Sequence, residues 1–221
     1  GCIEFDDVRT DSVVWVGLFG NDSVLPQGIS VYEDGAQHFG LTLKGEFASY
    51  SFDPTKTLPN FGNGGAVVSN NSDIIERVKQ LRRHGQVDIH TGGNSIMSER
   101  DCAELIVKLE FFDDWTSRRR ELAEYYTEEL EDLVDCITDP TGMVSKFVIA
   151  TDRKSCLKTH LILKNIQCKD VYEEPLTNMP QATLNCKRFL SIPCDSYTTW
   201  DEASTVVEHI KMFFEPSPLK T

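Results

Sequence analysis

Short apolar runs punctuated by Gly, Pro and Asn make up the front of the chain. Val13-Val14-Trp15-Val16-Gly17 and Ile29-Ser30-Val31-Tyr32 end near Gly or Asp, as buried parallel strands do. Between them, Leu18 to Gly28 gives only eleven residues, with one Pro and two Gly. A crossover between parallel strands needs about a dozen, so the spacing predicts a shortened or absent helix there. Phe47 to Phe52 reads as a further strand, and the turn Asn60-Phe61-Gly62-Asn63-Gly64-Gly65 leads into another, Ala66 to Ser69. No lysine of the Walker type follows that glycine turn, which therefore reads as a bend in preference to a phosphate cradle.

Helical spacing takes over afterwards. Asn70 or Asn71 is placed as an N-cap for a helix running toward His84 and Gly85, with Gly85 suited to the position after the helix. Ser98-Glu99-Arg100-Asp101 matches a capping box. The stripe Leu105, Leu109, Phe112, Trp115 and Leu122 then predicts one long amphipathic helix through Glu121 and Tyr125. Beyond the turn Asp139-Pro140-Thr141-Gly142 the pattern predicts a strand over 146–150 and a helix over 153–164. A strand near 168–172 and a final helix from Trp200 to Phe214 complete it, with a loose tail over 215–221. Strands alternating with helices make the fold class α/β.

Composition narrows the function. A chain of 221 residues, 40 % hydrophobic, holds one large or two modest domains with a core. Lys and Arg total 22 against 35 Asp and Glu, a net charge of −13 that repels polyanions, so nucleic acid is excluded as a partner. Lys44, Arg82, Arg83 and His84 are the local cations available to a phosphate group, though near a helix end they also read as charges complementing its dipole. The seven cysteines are scattered without zinc or redox spacing, and no metal site is expected. With no leader peptide and no apolar run long enough to span a bilayer, a cytoplasmic location with free thiols and no membrane partner is the expectation.

The candidate chemistry lies in one stretch. Tyr32-Glu33-Asp34-Gly35-Ala36-Gln37-His38-Phe39-Gly40 precedes Phe47-Ala48-Ser49-Tyr50-Ser51-Phe52-Asp53-Pro54-Thr55-Lys56. A lysine amine condenses with the pyridoxal aldehyde, and a carboxylate facing the ring nitrogen keeps that nitrogen protonated. Lys56 and Asp34 fit those two parts, at strand ends where open α/β sheets bind ligands. Each residue taken singly also has a plain reading: Lys56 as a solvated turn lysine, Asp34 as a strand end or cap, Ser51 as strand, Gln37 as loop.

The order and spacing of Asp34, Gln37, Ser51 and Lys56 resemble the DegT/DnrJ/EryC1/StrS family of pyridoxal phosphate-dependent nucleotide-sugar aminotransferases. In that family an Asp-x-x-Gln at a strand end precedes a Ser-Phe-x-Pro-Thr-Lys turn. Arg82-Arg83-His84-Gly85, Gly93-Asn94 with Met97, Tyr172-Glu173-Glu174-Pro175-Leu176 and Leu190-Ser191-Ile192-Pro193 extend the resemblance along nearly the whole chain. It implies a fold-type-I transferase: part of a large cofactor-binding domain over 1–115 with a mainly parallel sheet, and a small C-terminal α/β domain over 116–221.

By the same resemblance Lys56 is the catalytic, cofactor-bearing lysine. Ser51 meets the cofactor phosphate, and Gln37 the ring face or its phenolic oxygen. Asn94 reaches across a homodimer interface to the partner's phosphate. The substrate class it implies is a nucleotide-linked keto-sugar, with glutamate as amino donor. Retention of the lysine argues against the family's dehydratase branch, in which histidine replaces it.

The chain departs from the family at Ile96, where arginine is usual, and at Val171 and Thr177, where histidines are common. Family members carry over a hundred residues before the strand matching 13–17, including a helix N-terminus for the phosphate and an aromatic stacked on the ring. Lacking these, the chain is also readable as a truncated or degenerate member that serves assembly or interaction without turnover.

Overall fold

The computed structural model describes residues 10–25, 27–85, 92–175 and 179–215. These described residues fall into two compact units, one drawn from 10–18 and 22–114, the other from 19–21 and 115–215. Thr177, Leu176 and the tail from 216 onward lie outside the described residues.

The first unit is built on four strands: β1 (Ser12–Val16), β2 (Ser30–Asp34), β3 (Phe47–Ser51) and β4 (Gly65–Val68), in the order β1-β2-β3-β4. β1, β2 and β3 run parallel, while β4 pairs antiparallel with β3 and closes that edge. Among the described residues of the segment joining β1 to β2 no regular helix forms, in keeping with the short spacing; Leu18–Gly20 makes a tight turn with Phe19 and Gly20 at φ of 64° and 86°.

Period-two alternation assigns the two sheet faces. Val31, Glu33 and Ala48 point to a buried face, at 5 %, 2 % and 0 % exposure. There Phe39 packs edge-on against Tyr50, Phe52 and Phe112, with ring centroids 5.1 to 5.5 Å apart. Val14, Val16, Tyr32, Asp34, Ser49 and Ser51 occupy the other face, where Val14 and Val16 are exposed.

α1 (Ser72–Leu81) starts at Asn71, whose Oδ1 accepts from the Asp73 amide at 2.9 Å. It stops at Leu81, and His84 and Gly85 then turn with φ of 63° and 62°. The stripe expected to form one long helix is divided into α2 (Glu99–Leu109) and α3 (Phe112–Leu130). At the break, the Glu110 and Phe111 amides donate to Val107 and Lys108 at 3.2 and 3.1 Å, three residues back instead of four. This tight turn re-aims the chain, and Phe112 starts the next helix already buried against Phe39.

The second unit carries β5 (Asp135–Cys136), β6 (Phe147–Ala150), β7 (Lys169–Asp170) and β8 (Phe189–Ile192) in the order β5-β6-β8-β7, every pair antiparallel. Against it lie α3 from Trp115 on, α4 (Lys154–Leu163), α5 (Pro180–Arg188) and α6 (Trp200–Phe214). Leu122, Tyr126, Phe147, Ile149, Leu157, Leu190 and Ile210 are fully buried at its centre, each burial stabilising by about 1.5–3 kcal/mol. The strand expected near 168–172 narrows to Lys169–Asp170.

Candidate active site

β2 delivers Asp34 as its last residue, and the chain leaves the sheet through a tight turn. The Ala36 amide donates to Asp34 Oδ1 at 3.1 Å, the Gly35 amide to Ser49 O at 2.8 Å and the His38 amide to Gly35 O at 3.1 Å. Only glycine fits at 35, because a Cβ there would stand 2.5 Å from the Tyr50 ring. Gln37 is half-buried on this turn.

β3 delivers Ser51. Asp34 pairs with Ser49 in the parallel register, so Ser51, two residues further on, shares the face of Asp34. Strand spacing and rise put the two positions roughly 8 Å apart along that face. Ser51 Oγ accepts from the Asp53 amide at 3.3 Å. The loop that follows is pinned at both ends: Phe52 N donates to Gly64 O at 2.8 Å and Asn60 N to Phe52 O at 2.9 Å.

Within that loop Asp53 to Lys56 form a turn closed by Lys56 N donating to Asp53 O at 2.9 Å. The Asp53 carboxyl lies below the usual carboxylate range because the Thr55 hydroxyl and amide donate to it, with the Lys56 charge adding to the effect. Lys56 itself is half-buried.

Asn94 is exposed and bridges antiparallel to Arg83 beyond the end of α1, where the Ser95 amide donates to Arg82 O at 3.0 Å. Of the expected local cations, Arg82, Arg83 and His84 are exposed. Lys44 is committed elsewhere, its amine paired with Asp22 and donating to Ser23 O at 3.1 Å. Asp34, Ser51 and the Lys56 turn are thus gathered at the carboxyl ends of adjacent parallel strands, with Gln37 on the neighbouring turn. Asn94 belongs to a different segment of the same unit.

A cavity of about 560 Å³ is lined by Asp11, Gly28, Ser30, Lys44 and Glu46 at the opposite end of β2. Two others, of about 810 and 590 Å³, lie in the second unit around Asn165, Gln167, Pro193 and Asp195. None of these three includes Asp34, Gln37, Ser51, Lys56 or Asn94. Asp34 and Ser51 stand instead on the sheet face whose β1 positions, Val14 and Val16, are 67 % and 47 % exposed.

Sequence reasoning missed the underside of this site. Glu33, a neighbour of Asp34 on the opposite face, is 2 % exposed, and its carboxylate accepts from the amides of Lys44, at 2.7 Å, and Gly45. His38, next to Gln37, is fully buried. Its Nε2 lies 3.8 Å from Glu33 Oε2, and its ring packs 4.9 Å from Trp15 and 6.0 Å from Tyr50. Burial lowers the His38 pKa below the ordinary imidazole value, with the Glu33 charge opposing. The signal was present in the alternation, which sets Glu33 on the face of Val31 and not that of Asp34.

The sequence model of the DegT/DnrJ/EryC1/StrS aminotransferase family matches residues 9–211. Among curated proteins, the dTDP-3-amino-3,4,6-trideoxy-alpha-D-glucose transaminase of Streptomyces venezuelae is 27 % identical over 94 % of this chain and 64 % of its own length. The UDP-2-acetamido-2-deoxy-3-oxo-D-glucuronate aminotransferase of Pseudomonas aeruginosa is 28 % identical over 78 % of this chain and 54 % of its own. The chain spans about two thirds of the length of the first of these relatives and about half that of the second.

Among solved structures, S. venezuelae DesV superposes with a TM-score of 0.84 at 26 % identity, over 95 % of this chain and 67 % of its own. A Brucella abortus aminotransferase of the same family gives 0.82 at 23 %, over 91 % and 64 %. The fold is that of fold-type-I aminotransferases, α/β with a mixed, mostly parallel sheet. With the family model matching across residues 9–211 and the aminotransferase fold around them, this chain belongs to the DegT/DnrJ/EryC1/StrS aminotransferase family.

Proposed function

We propose that the chain is the lysine-bearing part of a pyridoxal phosphate-dependent aminotransferase acting on a nucleotide-linked keto-sugar, with glutamate as amino donor, in the cytoplasm. The observation that carries this reading is the shared sheet face of Asp34 and Ser51, followed at once by Lys56 on a turn pinned at both ends. The span of roughly 8 Å between Asp34 and Ser51 is on the scale of an aromatic ring with a phosphate arm.

Pyridoxal phosphate, when bound, supplies an aldehyde for the amine and a ring that accepts electrons from the reacting carbon. Lys56 would hold it covalently, and once freed its amine would carry the proton to and from the substrate carbon. Asp34 would face the ring nitrogen, Ser51 would donate to the phosphate, and Gln37 would meet the ring face or its phenolic oxygen. In a homodimer, Asn94 from a second copy would reach the same phosphate, which its exposed position permits. Relatives named as transaminases of dTDP- and UDP-linked sugars support the substrate class. Retention of both Lys56 and Asp34 supports turnover over a role confined to assembly.

Titration with pyridoxal phosphate tests this directly. Wild type should develop a long-wavelength absorbance band that Lys56→Ala lacks, and Asp34→Asn should weaken cofactor retention. Coincident spectra for wild type and Lys56→Ala would remove the reading.

A further inference from the structure

The imidazole of His38 has no visible task in the chemistry above, yet the sheet is built around it. The ring is fully buried, and neither nitrogen has a hydrogen-bond partner among the described residues. It is wedged between Trp15 of β1, Tyr50 of β3 and the Glu33 carboxylate of β2. Gly17 closes the remaining side: a Cβ there would stand 2.2 Å from His38 Cδ2 and 2.7 Å from Cγ.

The backbone around the ring is the backbone of the site. The Gly17 amide faces Asp34 O at 3.4 Å, the His38 amide donates to Gly35 O at 3.1 Å, and only Gly35, Ala36 and Gln37 separate His38 from Asp34. One end of the turn is thus held by β2 and the other by a buried ring. Fixing both ends of a short turn limits the positions its residues can take, the condition for presenting side chains within about 0.5 Å of a required geometry.

We propose that His38 is a positioning residue: its ring, locked beneath the sheet between Trp15, Tyr50, Glu33 and Gly17, sets the turn that presents Asp34 and Gln37 to the cofactor on the opposite face. The proposal rests on the reading of Asp34 and Gln37 given under Proposed function. It predicts a reciprocal dependence between positions 17 and 38. A methyl at 17 displaces the ring and with it the turn, whereas the same methyl is harmless once the ring is gone.

The test is a double-mutant cycle on the whole chain, with Gly17→Ala, His38→Ala, the two combined, and His38→Gln as the conservative variant. Two quantities are read. In the unligated protein, the backbone amide NMR shifts of Ala36 and Gln37 report the turn, and titration with pyridoxal phosphate reports affinity. Gly17→Ala and His38→Ala should each move those amides and weaken binding about tenfold, an effect of about 1.4 kcal/mol. The double variant should be no weaker than His38→Ala alone, and His38→Gln should stay within about threefold of wild type.

Amides unmoved by Gly17→Ala, or losses that simply add in the double variant, would overturn the proposal. If wild type takes up no cofactor, the site reading fails by itself. The amide shifts still decide whether the 17–38 contact sets the turn.

Discussion

Replacing Glu33 should unsettle the first unit in a graded way that separates the carboxylate's hydrogen bonds from its bulk. Glu33 is 2 % exposed, and its Oε1 takes the amides of both Lys44 and Gly45, tying the loop after the Asp34 turn back to β2. Leucine keeps most of the volume and removes both acceptors. Two hydrogen bonds to a charged group contribute about 1.5–3 kcal/mol each. Losing them is offset by no longer burying a carboxylate and by water reaching the Lys44 amide, whose residue is exposed. The net expectation for Glu33→Leu is about 2 kcal/mol. Glutamine retains one carbonyl oxygen able to accept from both amides and should cost only about 1 kcal/mol.

Trp15 reports on this unit if Trp115 and Trp200, which belong to the other, are first changed to Phe. With a urea dependence of about 2 kcal/mol per molar, the midpoint should fall by roughly 1 M for Leu and by about half that for Gln. A Leu midpoint at or above wild type, or a Gln variant weaker than Leu, would refute the assignment of Glu33 as the anchor of the 44–45 loop.

Two further outcomes follow from burial. His38 has a pKa below its ordinary value in the folded chain, so the unfolded chain binds the proton more readily. Its contribution to stability is therefore fully present above the ordinary imidazole range and is lost as pH falls from there through the depressed value. Trp15-monitored urea midpoints between about pH 7.5 and 5 should fall in wild type and flatten in that window in His38→Gln. Among the thiols, Cys156 is exposed while burial pushes Cys194 up to about 12 and Cys136 up to about 11. Iodoacetamide at about pH 8 followed by peptide mass spectrometry should find Cys156 modified first among the thiols of the described residues and Cys194 at least about a hundredfold slower. Comparable rates would contradict the burial.

Elements of five or more residues with a clear period are legible in the order of the amino acids. β2, β3, α4 and α6 coincide with apolar runs or predicted helical spans and each buries residues within its own unit, β1 coincides with its run while half-burying Val13 and Trp15, and α1, which buries no residue fully, is announced by its Asn71 cap. β5 and β7 are two residues each, too short for any period to show. α5 buries only Cys186 and carries no stripe, although Pro180 at its first turn is a usable start signal. The break between α2 and α3 is hidden because Leu105, Leu109 and Phe112 keep helical spacing straight across it. Only tertiary contact, Phe112 against Phe39, distinguishes one helix from two.

The same physics explains which half of the candidate site is readable. Asp34, Ser51 and Lys56 announce themselves because polar residues at strand ends, in a fixed order, match a chemistry. Glu33 and His38 are as polar as those three and equally close in sequence, yet they are buried, and nothing in their side chains distinguishes a buried polar anchor from a solvated one. What distinguishes them is parity and space: Glu33 shares the face of Val31, and His38 fills the room that Gly17 leaves. A strand end carrying adjacent acids therefore has two jobs in the proposed reading, Asp34 on the face assigned to the cofactor and Glu33 fastening the sheet from the other. If the turn that follows Asp34 is set from below, substitutions at 17, 33 and 38 should disturb cofactor affinity although none of these residues points toward the face proposed for the cofactor.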